Sequence, residues 1–393
     1  MIKLTVKKER VGPVLGRHPW VFSGALNNIP DGIPTGTTIH LVDEGGNFLA
    51  QGYFSSYSQI AVRIWSYDAK EEVNDEFFVN RIVRAYELRK NFVESKKTNA
   101  YRLINSENDF LPGLIVDKYV DYLVVQFNTA GIEYWKDLIV KALEKVLNPK
   151  GIFERSDVKV REIEGIEKKS GPLFGEIPEN VTILENGFKF LVNIIGGQKT
   201  GFFLDQRDKR EALMKYVKGK SVLNCFCYTG GFSVYALAAG AKKVVSVDVS
   251  ADALELAKKN VELNKLDLEK CEFVCEDVKK YLAGVKPGEF DVIILDPPAF
   301  IKDRRKIEEG LVGYRKINEM GLKALLNGGV LASCSCSAHL KMTDFRYMLS
   351  MAGRGANKTF RILETFTHGI DHPELVAFME GEYLKVVFGI VCD

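Results

Sequence analysis

The sequence predicts an α/β protein: a parallel sheet with helices on both faces, preceded by a small all-β region and a small α+β region. Three observations predict it. From about residue 185, strand-like and helix-like runs alternate, as repeated βαβ units do. Residues 1–72 hold only short β-rich runs separated by glycine- and proline-containing turns. Residues 73–184 mix two helical patterns with several strands. The expected domains are therefore 1–72, 73–184 and 185–393.

In the first region the β-rich runs are Leu4–Val6, Thr38–Val42, Phe48–Tyr53 and Ile60–Trp65. Between the first two lies Gly16-Arg17-His18-Pro19-Trp20-Val21-Phe22, which combines a cation, aromatics and turn residues. This run resembles the PUA module, a small β-barrel fused to RNA-modifying enzymes. Trp20 and Phe22 are expected in the barrel core. The first ten residues carry four Lys or Arg, and Arg17-His18 follow. Lys7, Arg10, Arg17 and His18 are thus candidates for phosphate contact, because cations on one edge attract a polyanion; a merely solvated charged face fits the charges equally well.

In the second region, 75–95 reads as a helix, with Phe77, Phe78, Ile82, Val83, Tyr86 and Leu88 inside and Arg81, Arg84, Arg89 and Lys90 outside. A second helix is expected over Trp135–Leu147, and no catalytic constellation is visible between them. In the third region, strands are expected at Phe188–Ile194, Ser221–Cys227, Lys243–Val249, Glu272–Cys275, Phe290–Leu295 and Gly329–Ser333. Helices are expected over Phe232–Gly240, Asp252–Asn264, Lys316–Leu326 and Lys341–Met351, before two closing strands near 360–366 and 383–391.

Composition sets limits on class. A hydrophobic content of 46% and a net charge of +2 suit a globular protein and neither demand nor exclude nucleic acid. No apolar run approaches the roughly 18 residues of a membrane span, and the N-terminal run lacks a signal-peptide core. Seven cysteines without framework spacing point to a reducing, cytoplasmic setting. The pairs Cys225/Cys227, Cys271/Cys275 and Cys334/Cys336 lack C-x-x-C spacing, so no metal site is expected.

The turn Asn224-Cys225-Phe226-Cys227-Tyr228-Thr229-Gly230-Gly231 joins a strand to a helix, and adjacent glycines let a backbone approach a ligand. Asp248 ends the next strand, where an acid can accept hydrogen bonds from ribose hydroxyls. Asp277 ends the third, within reach of an adenine amino group. A dinucleotide dehydrogenase would want Gly-x-Gly-x-x-Gly at the turn. Its absence favours a nucleoside cofactor without phosphates, of which S-adenosylmethionine (SAM) is the common one. Upstream, Asp205 and Gln206 are candidates for holding a charged methionine end, with Phe203 as its cover.

Two strand tips carry the reacting chemistry: Asp296-Pro297-Pro298-Ala299-Phe300 and Ser333-Cys334-Ser335-Cys336-Ser337. Together with Gly197–Arg207, the Asn224–Phe232 turn and Val247–Ser250, they resemble the RlmI-type family of SAM-dependent large-subunit rRNA cytosine-C5 methyltransferases. The resemblance spans essentially the whole chain. It implies a Rossmann-like class I methyltransferase sheet, SAM as cofactor, large-subunit rRNA as partner and a possible homodimer. It assigns SAM contacts to Thr200, Phe203, Asp205, Asn224, Phe226, Tyr228, Thr229, Asp248, Val249, Asp277 and Asp296; Gln206 and Gly230 join them from the residue reading.

Carbon 5 of cytosine is a weak nucleophile until a thiolate adds to carbon 6. Cys334 and Cys336 sit two apart, which on an extended strand puts both on one face. The resemblance selects Cys336 and leaves Cys334 to strand packing. Asp296, Pro297 and Pro298 would hold the exocyclic amino group, and Phe300 would stack on the base. The same tip occurs in amino-group methyltransferases, so N-methylation remains an alternative, as does a SAM-binding RNA assembly factor. Ala299 departs from the pattern of RNA C5-methyltransferases that carry a second cysteine there.

Overall fold

The computed structural model describes residues 1–392. Contacts divide the chain into two compact units, each discontinuous in sequence. The first comprises Met1–Ile183, Val192–Leu204 and Ile370–Gly381. The second comprises Leu184–Leu191, Asp205–Gly369 and the residues from Glu382 on.

The first unit opens with a five-stranded sheet in the order Ile2–Thr5, Thr38–Val42, Phe48–Phe54, Ile60–Ser66, Trp20–Phe22. Alternation along these strands sends Leu4, Ile39, Leu41, Val62 and Ile64 into one core. Two expectations fail here. A short helical segment, Lys8–Arg10 followed by Val11–Leu15, interrupts the region read as all-β. Trp20 and Phe22 also lie outside the barrel core. Trp20 Nε1 donates to Glu107 Oε1 at 2.7 Å and its ring meets Phe378 at 4.7 Å, while Phe22 is largely exposed.

A second five-stranded sheet runs Lys169–Gly175, Gly151–Ser156, Tyr122–Phe127, Leu114–Tyr119, Ala100–Asn105. Helices Asp75–Phe92 and Lys136–Leu147 contribute Phe78, Ile82, Ile139 and Leu143 to its core. The expected outward face of the first helix is corrected at two positions: Arg81 and Arg89 are buried. Val83 and Leu88, expected inside, are more than a third exposed. The cause is long-range pairing. Arg89 forks onto Asp109 at 2.6 and 2.7 Å and donates to the Asp371 carbonyl at 3.0 Å. Arg81 donates to Glu71 at 2.8 Å. A guanidinium enters a core only when such acceptors meet it.

The second unit is built on a seven-stranded sheet. Numbered in chain order its strands lie 3-2-1-4-5-7-6: Cys271–Cys275, Lys243–Asp248, Ser221–Cys225, Val292–Leu295, Val330–Ser335, Lys385–Cys392, Thr359–Phe366. The first five are mutually parallel, and Lys385–Cys392 runs antiparallel to both its neighbours, Val330–Ser335 and the edge strand Thr359–Phe366. Strands buried on both faces read as unbroken apolar runs, and Val292–Leu295 is buried at every position. Phe188–Asn193 lies outside this sheet and forms a two-stranded one with Asn180–Glu185. Helix Ile307–Ala324 begins nine residues before the expected Lys316, because Arg304–Glu309 hides the apolar period. Helices Arg207–Leu213 and Val278–Gly284 were not expected.

Strand order reverses between Ser221–Cys225 and Val292–Leu295. Open α/β sheets bind ligands at such a switch point, beyond the carboxyl ends of the strands.

A buried ion pair holds helix Gly231–Ala238 of this unit. Glu185 accepts from Arg210 Nε and Nη2 at 2.7 Å each and from Tyr235 Oη at 3.1 Å. Glu185→Ala should strand the buried Arg210 charge and cost about 3–5 kcal/mol of stability. Denaturant unfolding of the full chain checks this: a loss below about 1 kcal/mol would mean the pair is dispensable.

Candidate active site

The turn after Ser221–Cys225 is strained. Phe226 and Tyr228 adopt φ of 58° and 47°, left-handed values that are uncommon for bulky residues, and Gly230 follows at 75°. The turn is held by its neighbours. Tyr228 N donates to Asp248 Oδ2 at 2.9 Å, and Asn260 Nδ2 donates to the Thr229 carbonyl at 2.9 Å. The two glycines have a packing role besides the conformational one. A Cβ on Gly230 would lie 2.9 Å from Ala257 Cβ, and one on Gly231 would lie 3.0 Å from Arg210 Cδ.

Asp248 ends the second strand and is buried, accepting from Ser250 N at 3.0 Å through its other oxygen. Val249, beside it, is 68% exposed, an apolar surface at the edge where a flat ring could rest. Asp277 caps helix Val278–Gly284 by accepting from Lys280 N at 3.1 Å.

Asn224 donates through Nδ2 to Ser233 Oγ at 2.9 Å. Its Oδ1 and the Thr229 hydroxyl are buried with no hydrogen-bond partner among the described residues. Buried polar atoms are nearly always satisfied, so this edge suits a polar nucleoside that brings its own donors and acceptors. Asn224, Tyr228, Thr229, Asp248, Val249 and Asp277 come from three adjacent strand ends.

Asp205 and Gln206 enter from the segment before helix Arg207–Leu213. Asp205 accepts from Tyr383 Oη at 2.6 Å, and Gln206 Nε2 donates to Asp296 Oδ2 at 3.1 Å. The latter bond ties the expected methionine-holding segment to the Asp-Pro-Pro tip. Thr200 and Phe203 belong to the first unit. There the Thr200 hydroxyl donates to Asp117 Oδ2 at 2.5 Å, and Lys199 Nζ lies 4.4 Å above the Phe203 ring.

The two cysteines of the other tip separate sharply. The strand runs through Ser335, so Cys334 is strand core with no exposure. Burial, reinforced by the Asp296 charge, raises its thiol well above the ordinary range. Burial does the same to Cys225 and Cys227. Cys336 lies one residue beyond the strand and is half-buried, with Sγ 4.0 Å from the Pro297 carbonyl. Pro297 itself is buried, Pro298 is exposed, and Asp296 is half-buried.

Phe300 differs from expectation in one respect. Its ring packs 4.6 Å from Tyr314 at 41°, so much of the surface read as base-stacking is already used. Tyr314 and Ser337 form a clamp that the residue pattern did not reveal. Their hydroxyls lie 2.9 Å apart. Phe300 N donates to Tyr314 Oη at 3.3 Å, and Ile301 N donates to Ser337 Oγ at 3.1 Å. From the other side Lys385 Nζ donates to the Ser337 carbonyl at 3.1 Å. The Asp-Pro-Pro tip and the Cys336 tip are thus joined through two buried hydroxyls.

Of the residues expected to meet RNA, Lys7 donates to the Gly24 carbonyl at 3.0 Å. Arg10 and Arg17 are exposed. His18 is turned into the fold, 3.2 Å from Glu380 Oε2 and from the Trp20 carbonyl.

This sheet order, with a glycine turn at its switch point and acids on successive strand tips, defines a SAM-dependent methyltransferase of the class I architecture. Known proteins agree. A family model described as S-adenosylmethionine-dependent methyltransferase matches residues 166–375, and one described as a PUA-like domain matches 4–67. A ribosomal RNA large subunit methyltransferase I from Cronobacter sakazakii is 43% identical over 100% of this chain and 99% of its own. That from Aeromonas hydrophila is 44% identical over 96% of each. A solved protein from Streptococcus mutans, described as a SAM-dependent methyltransferase, covers both chains fully at 28% identity with a TM-score of 0.85. Another, complexed with SAH, does so at 28% with a TM-score of 0.86. The chain belongs to the ribosomal RNA large subunit methyltransferase I family.

Ser337→Ala should release Ile301 N and the Tyr314 hydroxyl together, costing about 1–3 kcal/mol. Ser337→Thr, which keeps the hydroxyl, should recover most of it. Urea unfolding followed in the second unit checks both; equal stability of the Ala and Thr variants would show that the clamp carries no weight.

Proposed function

We propose that this enzyme transfers a methyl group from SAM to carbon 5 of a cytosine in large-subunit rRNA, with Cys336 as the nucleophile, in the cytoplasm. The observation that carries the reading is the contrast between the two cysteines. Cys334 is sealed and held neutral; Cys336 is accessible and 4.0 Å from the Pro297 carbonyl.

The bound cofactor supplies an electrophilic methyl group on a sulfonium. The residues of this chain do the rest. The Cys336 thiolate forms a bond to carbon 6 of the cytosine, and the electron pair of the 5,6 double bond moves to carbon 5, which would take the methyl group as the sulfonium–methyl bond breaks and leaves its electron pair on sulfur. Carbon 5 then gives up its proton to solvent, the freed electron pair re-forms the double bond, and the carbon–sulfur bond breaks with its pair returning to the Cys336 thiolate. Asp296 and the Pro297 carbonyl hold the exocyclic amino group, so that carbon 6 faces the thiol. Asp248 would receive the ribose hydroxyls and Asp277 the adenine amino group, and Val249 and Phe226 would flank the adenine. Asp205 and Gln206 would hold the methionine end; Asn224, Tyr228, Thr229 and Gly230 would shape the turn against the nucleoside. The reacting carbon is inaccessible in a stacked helix, so the target base is flipped or unpaired. Residues 1–72 serve as the RNA-binding module and 185–393 as the catalytic domain, with 73–184 between them.

Cys336→Ala should lower methyl transfer to large-subunit rRNA by at least about 10³-fold, in keeping with loss of a covalent nucleophile, and leave SAM affinity intact. Cys334→Ala should retain most activity. RNA carrying 5-fluorocytosine should trap a covalent adduct with wild type and Cys334→Ala only. Full activity of Cys336→Ala would instead favour transfer to the amino group.

A further inference from the structure

The first unit contains a pocket of about 640 Å³ that the methyl-transfer chemistry does not use. Three stretches distant in sequence build it: Arg17 and Tyr67 from the barrel region, Phe110 from the second sheet's edge, and Leu375–Ala377 from the C-terminal return. Its exposed lining is mainly apolar.

Two residues reach it at a conformational cost. Arg17 and Phe110 have φ of 66° and 58°, left-handed values that cost a bulky side chain of order 1–3 kcal/mol and persist where the surroundings enforce them. The strain presents a cation and a ring. The Arg17 guanidinium lies 4.4 Å over the Tyr67 ring and has no carboxylate partner among the described residues. Tyr67 is fixed from behind by donating to the His18 carbonyl at 3.1 Å. Phe110 is 39% exposed, and Arg81 lies 5.3 Å above its ring.

The third wall is preformed. Leu375 N donates to Asn108 Oδ1 at 2.9 Å, Asn105 Nδ2 donates to the Pro373 carbonyl at 3.0 Å, and Phe378 is buried against Trp20. On this anchored segment Val376 is fully exposed. Nothing in the fold requires a valine there, and isolated apolar exposure gains meaning beside a strained ring and an unpaired cation.

Rigid apolar walls joined to one stacked, unpaired guanidinium match a nucleotide of single-stranded RNA: a flat base with a phosphate at its side. Lys8 and Arg10 stand exposed at the start of the same short helical segment that leads to Arg17, and cations of this kind attract a phosphate backbone. We propose that this pocket binds an unpaired nucleotide of the rRNA substrate, with Phe110 and Val376 against the base and Arg17 on the phosphate. The proposal rests on the reading of RNA as the substrate and extends it to residues outside the barrel.

The test uses the full chain, a large-subunit rRNA transcript and a fluorescent oligouridylate decamer. Val376→Asp replaces a fully exposed side chain and should not disturb folding; Phe110→Ala is the second variant. Stacking of one base corresponds to roughly 5- to 150-fold in affinity. Each variant should therefore raise KM for the transcript at least about fivefold and weaken decamer binding similarly. SAM affinity and kcat at saturating RNA should stay as in wild type. Unchanged transcript KM and decamer affinity in both variants would overturn the proposal. So would variants that bind naked RNA normally but lose affinity for protein-bearing ribosomal particles, since the occupant would then be protein. Wild-type enzyme that binds SAM yet methylates no rRNA would refute the substrate reading, while the decamer arm would still judge the pocket.

Discussion

The short distance between two strand tips is the constraint on which the catalytic unit depends. Parallel neighbours Val292–Leu295 and Val330–Ser335 are locked in register by their ladder, but a ladder ends where the strands end. Beyond that point the chain is free to splay. The Tyr314 and Ser337 hydroxyls replace the missing ladder bonds, taking the amides of Phe300 and Ile301 and meeting each other 2.9 Å apart. Both groups are buried, so losing either leaves polar atoms that water cannot serve. Lys385 secures the Ser337 carbonyl from the antiparallel strand. A near-attack geometry tolerates errors well below an ångström, and a tie made of several buried bonds suits that tolerance better than a solvated loop would.

The same logic of charge and hydroxyl burial recurs through both units. Arg89 with Asp109, Arg102 with Asp117, and Arg210 with Glu185 are each paired inside a core. Such pairs add little net stability over an apolar core, yet breaking one is costly. Their value lies in specifying which distant segment meets which. Arg89 also bonds to the Asp371 carbonyl, and Asp371 accepts from Arg102 N, so the C-terminal return Ile370–Gly381 is recognised by the first unit at defined atoms. That return then supplies Leu375–Ala377 to the pocket.

Much of this was legible in the sequence, and what was not has physical causes. Unbroken apolar runs announced the strands of the large sheet, because burial on both faces leaves little room for polar positions. The Asp296–Phe300 tip and the cysteine tip stand out in the sequence as polar and proline-rich strand ends; the structure adds that both also pack, Cys334 in the strand core and Phe300 against Tyr314. Arg81 and Arg89 were misread as solvent-facing, since their acceptors stand on other segments and no local period marks them. Tyr314 was invisible for a related reason: its helix begins within the charged run Arg304–Glu309, and its hydroxyl acts on residues beyond the ends of two strands. Gly230 and Gly231 were read as space for a ligand; the structure adds that a Cβ there would strike Ala257 and Arg210. The methionine-end candidates Asp205 and Gln206 rest on local polarity, and Asp205 also on the family resemblance; the structure adds a bond from Gln206 to Asp296.

The choice between the cysteines shows why strand ends matter more than strand faces here. Alternation puts residues two apart on one side, so Cys334 and Cys336 should share an environment. They do not, because the strand stops at Ser335. Cys334 keeps the strand's burial and, beside Asp296, is a poor thiolate at neutral pH. Cys336, one step past the last ladder position, escapes that burial while the Ser337 clamp keeps it against Pro297. A thiol must be near its target yet not sealed from it, and the first residue beyond a buried strand meets both conditions. Extending the strand by one residue would bury the proposed nucleophile; shortening it by two would release Cys334 to compete with it.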